Sequence, residues 1–288
     1  MNRPAKLTHA APLLAMIGAL LGTPSAAPTP DNPPEPAQDR SVESELQHPD
    51  REAYRTILSA RVNEHGFVDY AALTADRAAL DRYLASLADA DVWAFEGHEQ
   101  LAILINAYNA FTLRLITEHY KDGGTPETDG RLTSIMQIPE EQRWDHQRWN
   151  LGGRTVSLNQ LEHQIIRVDF DEPRIHFALV CAAMSCPTLR AEPYTGDTLE
   201  EQLAHQSSRF HERDDAFRFD PRRLTVHLSS VYDWFAEDFA KAAGSPAKYA
   251  ARFDEELDRA LKRGRSVDVR YIQWDWTLND QAIRTARR

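Results

Sequence analysis

Cysteine is scarce in this 288-residue chain, which holds only Cys181 and Cys186. Two cysteines cannot staple a disulfide scaffold, so the fold has to rest on a hydrophobic core. A positive excess is missing as well. The 33 basic side chains face 44 acidic ones, a formal charge of −11, which argues against nucleic acid as a partner. The acidity reads as solubility and carries no further functional weight. There is no glycine-rich phosphate loop, no internal repeat, and no apolar run long enough to span a bilayer.

The apolar run near the start, Ala11 to Leu21, follows Arg3 and Lys6 and precedes the small residues Thr23, Ser25, Ala26 and Ala27. A basic start, a short apolar run and small residues form the layout of a cleavable secretory signal. Residues 1–27 are therefore expected to be a signal peptide, cut near Ala26, and the protein to be exported, periplasmic or secreted. Cleavage removes Arg3 and Lys6 and no acid, leaving 31 basic side chains against 44 acidic ones, a formal charge of −13. Pro28, Pro30, Pro33, Pro34 and Pro36 lie in a polar stretch, so residues 28–43 read as an extended linker. Residues 44–288 suffice for a single well-cored domain.

Apolar side chains recur at helical spacing over 41–62, 76–87 and 98–120. The run from Leu101 to Leu113 has hardly any polar face, the pattern of a buried central helix. Gly152-Gly153 between short alternating stretches predicts a hairpin, and Ser157 with Gln160 has the form of a capping box opening the next helix. The apolar run Arg174 to Cys181, bounded by Pro173 and Pro187, reads as a buried strand. Further on, the pattern predicts a helix over 199–211 begun by Thr198 and Glu201, a hairpin through 217–228, helices over 231–242 and 248–262, and a strand over 269–278. The fold class expected is α+β: a mostly helical single domain with a small, largely antiparallel sheet and a buried central helix.

With Leu158 set at 0° and 100° per residue, Leu161 falls near 300°, Ile165 near 340° and Glu162 near 40°. Glu162 then lies inside the apolar face, where a carboxylate must find a partner or take up a proton. A structural ion pair, for instance with Arg174, competes with a catalytic role. His163 sits at the margin of that face, as a general base or as a packing histidine. Asn106 and Asn109 stand one turn apart on the apolar helix. Their amides either fix neighbouring loops or orient a histidine or an oxyanion.

His176 to Pro187 is the densest local feature, holding His176, Cys181 and Cys186. Residues five apart on a regular strand face opposite ways, so His176 and Cys181 are not expected to meet. Three readings stay open. The cysteines are a structural disulfide or inert buried thiols. Alternatively, Cys181 is a nucleophile with a histidine base. Or His163, His176, Cys181 and Cys186 form a thiol-redox or zinc set, although their spacing matches no established zinc motif and is not that of a two-residue redox pair. The aromatic run Val231 to Phe239 reads as a core helix.

Four segments together resemble the bacterial and plant family catalogued as domain of unknown function 547. They are Ile105-Asn106-Ala107-Tyr108-Asn109-Ala110, then Gly153 through Ser157-Leu158 to Leu161-Glu162-His163 and Arg167, then Asp171 to Arg190, and Leu228-Ser229 to Trp234 with Asp238-Phe239. The resemblance spans about 90–240. It departs from the family pattern at Ile103 and Leu104, where aromatic residues are expected. It implies no particular activity. Fusion of some plant relatives to glutaredoxin-like modules favours thiol chemistry, and coiled-coil segments in others favour an interaction role. A cysteine is usual in the family at the position of Cys181 and less regular at that of Cys186, which favours Cys181 as the nucleophile.

The combined expectation is a pocket lined by Asn106, Asn109, Glu162, His163, His176, Cys181 and Cys186. In the enzymatic version Cys181 attacks a carbonyl, His163 takes its proton, and Glu162 or Asn106 orients the histidine, as in a hydrolase or acyl transferase. The alternative is a binding or interaction protein with a structural cysteine pair. The partner expected is a small molecule, a peptide or another protein. No cofactor is required by the sequence, zinc being the one that the alternative set would take.

Overall fold

Asp50 begins the first helix, α1 (Arg51–Arg61), by accepting a hydrogen bond from the Ala53 N–H at 2.9 Å. This computed structural model describes residues 46–286 except 122, 126 and 127. The expected signal and linker, residues 1–27 and 28–43, lie outside the described residues. The first helix was expected from residue 41, but Asp50 sets its start later. Asp69 likewise caps the short α2 (Tyr70–Ala75), and α3 (Ala78–Asp89) follows. Residues Glu45–Arg288 form one compact unit.

The next helix, α4 (Gly97–His119), is the expected central one. Every side chain from Leu101 to Leu113 is buried. A helix apolar all round has to be covered on all sides, and the main core gathers around it. After it, β1 (Trp149–Leu151) and β2 (Arg154–Val156) pair antiparallel, with Trp149 opposite Val156. Gly152 and Gly153 form the turn at φ 53° and 74°, values open to glycine at little cost. The turn docks on the end of α3 through Gly152 N–H to Leu87 C=O and Gly153 N–H to Ala88 C=O.

Ser157 and Gln160 close the expected capping box. The helix it opens, α5 (residues 158–169), departs from α-geometry in its middle. Leu161–Ile166 is a π-helix, and the Arg167 N–H reaches back five residues to the Glu162 C=O. Wider winding brings Leu161 and Ile166 onto the same buried side, while Ile165, which 100° spacing places in the apolar face, is only half-buried.

Residues 174–181 are buried but are not a strand. Pro173–Phe177 is a 3-10 turn capped by the Glu172 carboxylate on Arg174 N–H, and the chain then runs irregularly to Pro187. The backbone bonds that a sheet would supply come from α4 instead. The Asn109 amide donates to Ala178 C=O at 3.0 Å and accepts from Val180 N–H at 2.9 Å.

Beyond it stand α6 (Leu199–His211), β3 (Phe217–Asp220) and β4 (Thr225–Ser229). Thr198 does not cap α6; its hydroxyl bonds that of Thr195. The expected helix over 231–242 is broken at Phe235 into α7 (Val231–Trp234) and α8 (Ala236–Ala243). That over 248–262 is also divided, into α9 (Pro246–Ala250), a 3-10 turn, and α10 (Glu255–Lys262), which Asp254 caps. Last come β5 (Asp268–Ile272), shorter than expected, and α11 (Gln281–Ala286). The sheet order is β3-β4-β5, with the first pair antiparallel and the second parallel. The fold is α+β and mostly helical, as expected. Among the described residues no helix is long and apolar enough to cross a membrane.

Asn109→Leu leaves the Ala178 carbonyl and Val180 amide buried without partners. Its expected cost is roughly 2–5 kcal/mol of folding free energy by urea unfolding. A purely catalytic role for the amide predicts unchanged stability.

Candidate functional site

The break at Phe235, the π-segment of α5 and the irregular run 178–187 converge on a pocket of about 370 Å³. Its walls include Trp144, Trp234, Trp274 and Trp276, four of the six tryptophans of the chain. Trp234 and Trp274 lie 4.7 Å apart at 54°, Trp144 and Trp276 6.0 Å apart at 58°, and Trp274 and Trp276 5.8 Å apart at 59°. Trp234 is 48% exposed although large and apolar, and Trp274 packs against both hydrophobic cores of the fold.

Glu162 and His163 leave the π-segment toward this space. Burial pushes the Glu162 carboxyl up from 4.5 to about 7, against the opposing pull of a hydrogen bond with Tyr108 and the charge of Arg167. The Tyr108 hydroxyl in turn is raised, by burial first and then by the neighbouring acid. The pair supplies a carboxyl group that changes protonation near neutral pH in an aromatic pocket, a property general acids and bases need.

Behind the Glu162 and His163 wall lies a polar chain. Arg167 grips Asp238 through two bonds of 2.8 and 2.9 Å and donates a third, at 3.0 Å, to His163 Nδ1. A guanidinium only donates, so His163 accepts on Nδ1 and carries its proton on Nε2. Asp238 also takes a 2.7 Å bond from His176 Nε2. Burial works to raise the Asp238 carboxyl, but His176 and Arg167 hold it well below the ordinary carboxylate range. Burial lowers both histidines and outweighs Asp238, which raises them, with Arg167 adding to the lowering, so both are neutral at pH 7. His176 stacks on Phe235 at 3.8 Å, and its Nδ1 is buried with no hydrogen-bond partner.

Cys181 and Cys186 are joined in a disulfide, with Cα atoms 6.1 Å apart. The two residues also line the pocket. Bonded sulfurs offer neither a thiolate to a carbonyl nor a ligand to zinc. Among the described residues, no cluster of three or more His, Cys, Asp or Glu side chains could hold a metal ion, so the set His163, His176, Cys181 and Cys186 does not assemble as a metal site. The expectation that His176 and Cys181 face apart rested on a strand. With the chain turned instead, both reach the pocket.

Asn106 and Asn109 do not line it. Asn106 donates to Tyr194 C=O at 2.8 Å and accepts from Tyr194 N–H at 2.9 Å, just as Asn109 holds Ala178 and Val180. Their amides are thus engaged by backbone rather than oriented toward His163. The sequence reading missed Tyr108, Asp145, Asp238 and the four tryptophans as site residues. Two local signals pointed that way, Asp238 inside an aromatic helix and Trp274 and Trp276 two residues apart.

Residues 93–210 match the family model described as Protein of unknown function, DUF547. The match holds Asn106 through Cys186 and ends before Trp234, Asp238, Trp274 and Trp276. No curated protein and no solved structure matches the chain.

Between pH 4.5 and 7 the folded protein keeps the Glu162 proton that the unfolded chain has released. It therefore binds more protons than the unfolded state, and this contribution to stability, complete below 4.5, is lost as pH rises to about 7. Urea unfolding of wild type against Glu162→Gln is expected to show wild type losing roughly 2–3 kcal/mol relative to the variant from pH 4 to 8. The two histidines titrate in both proteins and drop out of the difference.

Proposed function

We propose that this protein, whose residues 93–210 belong to the DUF547 family, is an exported ligand-binding protein whose pocket exchanges a proton with its ligand through Glu162. The observation that carries the reading is the single pocket bringing together four tryptophans and a carboxyl raised to about 7. Its volume of about 370 Å³ suits a small molecule rather than a folded partner. Export is supported by the basic, apolar and small-residue order of residues 1–27 and by the disulfide, since such bonds persist in oxidising compartments. In this reading the disulfide holds the loop at the pocket floor, and Glu162 with Tyr108 binds the ligand and moves one proton.

A cysteine-dependent hydrolase or acyl transferase is the second reading. It is favoured by Cys181 sharing the pocket with Glu162, His163 and His176. It requires an external dithiol to reduce the disulfide, the dithiol being oxidised to its own disulfide as Cys181 and Cys186 become thiols, after which a histidine nitrogen can take the Cys181 proton.

Saturation-transfer NMR with a library of small neutral, anionic and cationic fragments tests the binding reading. Some fragments are expected to bind wild type and to weaken about tenfold in Trp234→Ala, a loss of about 1.4 kcal/mol. Binding that neither Trp234→Ala nor Glu162→Gln disturbs would sink it. Protein recovered without reductant is expected to take up no iodoacetamide in its native state. Rapid labelling of Cys181, together with a p-nitrophenol burst from p-nitrophenyl acetate that Cys181→Ser abolishes, would move the assignment to the thiol enzyme.

A further inference from the structure

The shape and charge of the tryptophan pocket narrow the kind of ligand it takes. Rings that lie parallel offer a platform to a flat sugar face or an aromatic plane. Here Trp234 and Trp276 lie near parallel at 21°, but three other pairs of these tryptophans meet at 54° to 59°, all within 6.0 Å. Faces inclined so steeply wall a concave space, in which a compact, rounded group touches several rings at once.

The charges lining that space are of one sign. Asp145 and Glu162 contribute carboxyl groups, and among the described residues lining the pocket there is no lysine or arginine. Arg167 lies on the far side of this wall, 5.1 Å from the Phe235 ring, with its charge met by the two bonds to Asp238. His163 and His176 are neutral. Asn159 donates to Asp145 at 2.8 Å and holds that carboxylate in the wall. An anionic ligand finds no counter-charge in such a space, whereas a cation finds two carboxyls and the negative faces of several rings. An uncharged polyol would need a dense set of side-chain donors. The Asn159 amide is already committed to Asp145, which leaves the His163 Nε2–H and the indole N–H groups, that of Trp274 buried and without a partner, a sparse set for a polyol.

We propose that the pocket binds an organic cation through a quaternary or methylated ammonium head, caged by Trp144, Trp234, Trp274 and Trp276 and faced by Asp145 and Glu162. This rests on the ligand-binding reading above and names the class of ligand for that same site. Aromatic rings recognise such heads because alkylation spreads the positive charge over a bulky surface that water solvates poorly. Burial of Glu162 supports the assignment, since an acid kept partly protonated in an aromatic wall gains a counter-ion when a cation binds beside it.

The test is calorimetric titration of the full protein with choline and with 3,3-dimethyl-1-butanol, its uncharged isostere of the same shape. Choline is expected to bind at least about tenfold more tightly than the isostere, and Trp234→Ala to weaken choline about tenfold, in line with the loss of one ring contact. Trp234 is half-exposed, so its removal leaves the core intact, and Glu162→Gln provides a second variant expected to weaken choline. Equal binding of choline and the isostere, no binding of choline, or choline binding indifferent to both variants overturns the cation assignment. The fragment measurement separates that failure from failure of the binding reading. Neutral or anionic fragments sensitive to Trp234→Ala leave the pocket a binding site for another class, whereas fragments insensitive to both variants remove the site itself.

Discussion

Burying an irregular stretch of backbone is the constraint on which the rest of this fold depends. Residues 178–190 run mostly through the interior with one isolated antiparallel bridge, Ala183 to Leu278, and no strand of their own, and an unpaired buried amide or carbonyl costs about 1–3 kcal/mol. Side-chain amides take the place of strands. Asn109 pairs with Ala178 and Val180, Asn106 with Tyr194, Gln206 with Thr188, and Gln202 with Pro193 and Thr195. Arg213 completes the set on the Met184 and Cys186 carbonyls. Since Asn106 and Asn109 stand on α4 and Gln202 and Gln206 on α6, the two helices are stitched to the same loop. The disulfide closes one turn of it, between Cys181 and Cys186.

That stitching creates the pocket. A loop held by amides can turn, and so it brings His176 and the disulfide to one cavity, which a straight strand would not. The opposite wall depends on Asp238, which joins α8 to Arg167 of α5 and to His176. Partly buried charge pairs of this kind contribute little net stability, but they fix geometry, because breaking one leaves the other charge without its partner. Here the fixed geometry confines the arginine behind Phe235, while burial lowers His163 and His176 against the pull of Asp238, so the cavity itself retains an acidic and aromatic lining.

Glu162 is the group of the pocket wall whose protonation the fold changes most. Its elevated carboxyl follows from its burial in the pocket wall beside Tyr108. A disulfide at the same wall removes the thiolate that a cysteine enzyme needs, and so shifts the chemical weight from sulfur to the carboxyl group.

Much of the frame was legible from local pattern. The all-apolar helix 101–113, the Gly152-Gly153 turn and the Ser157-Gln160 box each depend on residues a few positions apart, so the sequence by itself determined where α4, the first hairpin and the start of α5 lie. It also placed Glu162 among apolar neighbours, because a helical face is a local property. The segment 174–181 could not be read in the same way. Its apolar composition suits a strand or any other buried conformation, and the choice fell to Asn109, about seventy positions away. Only tertiary structure decided that Asp238 meets His176, that the cysteines pair, and that Trp144 stands with Trp234, Trp274 and Trp276. Periodicity reports which side of an element is buried; it holds no information about which distant element covers that side.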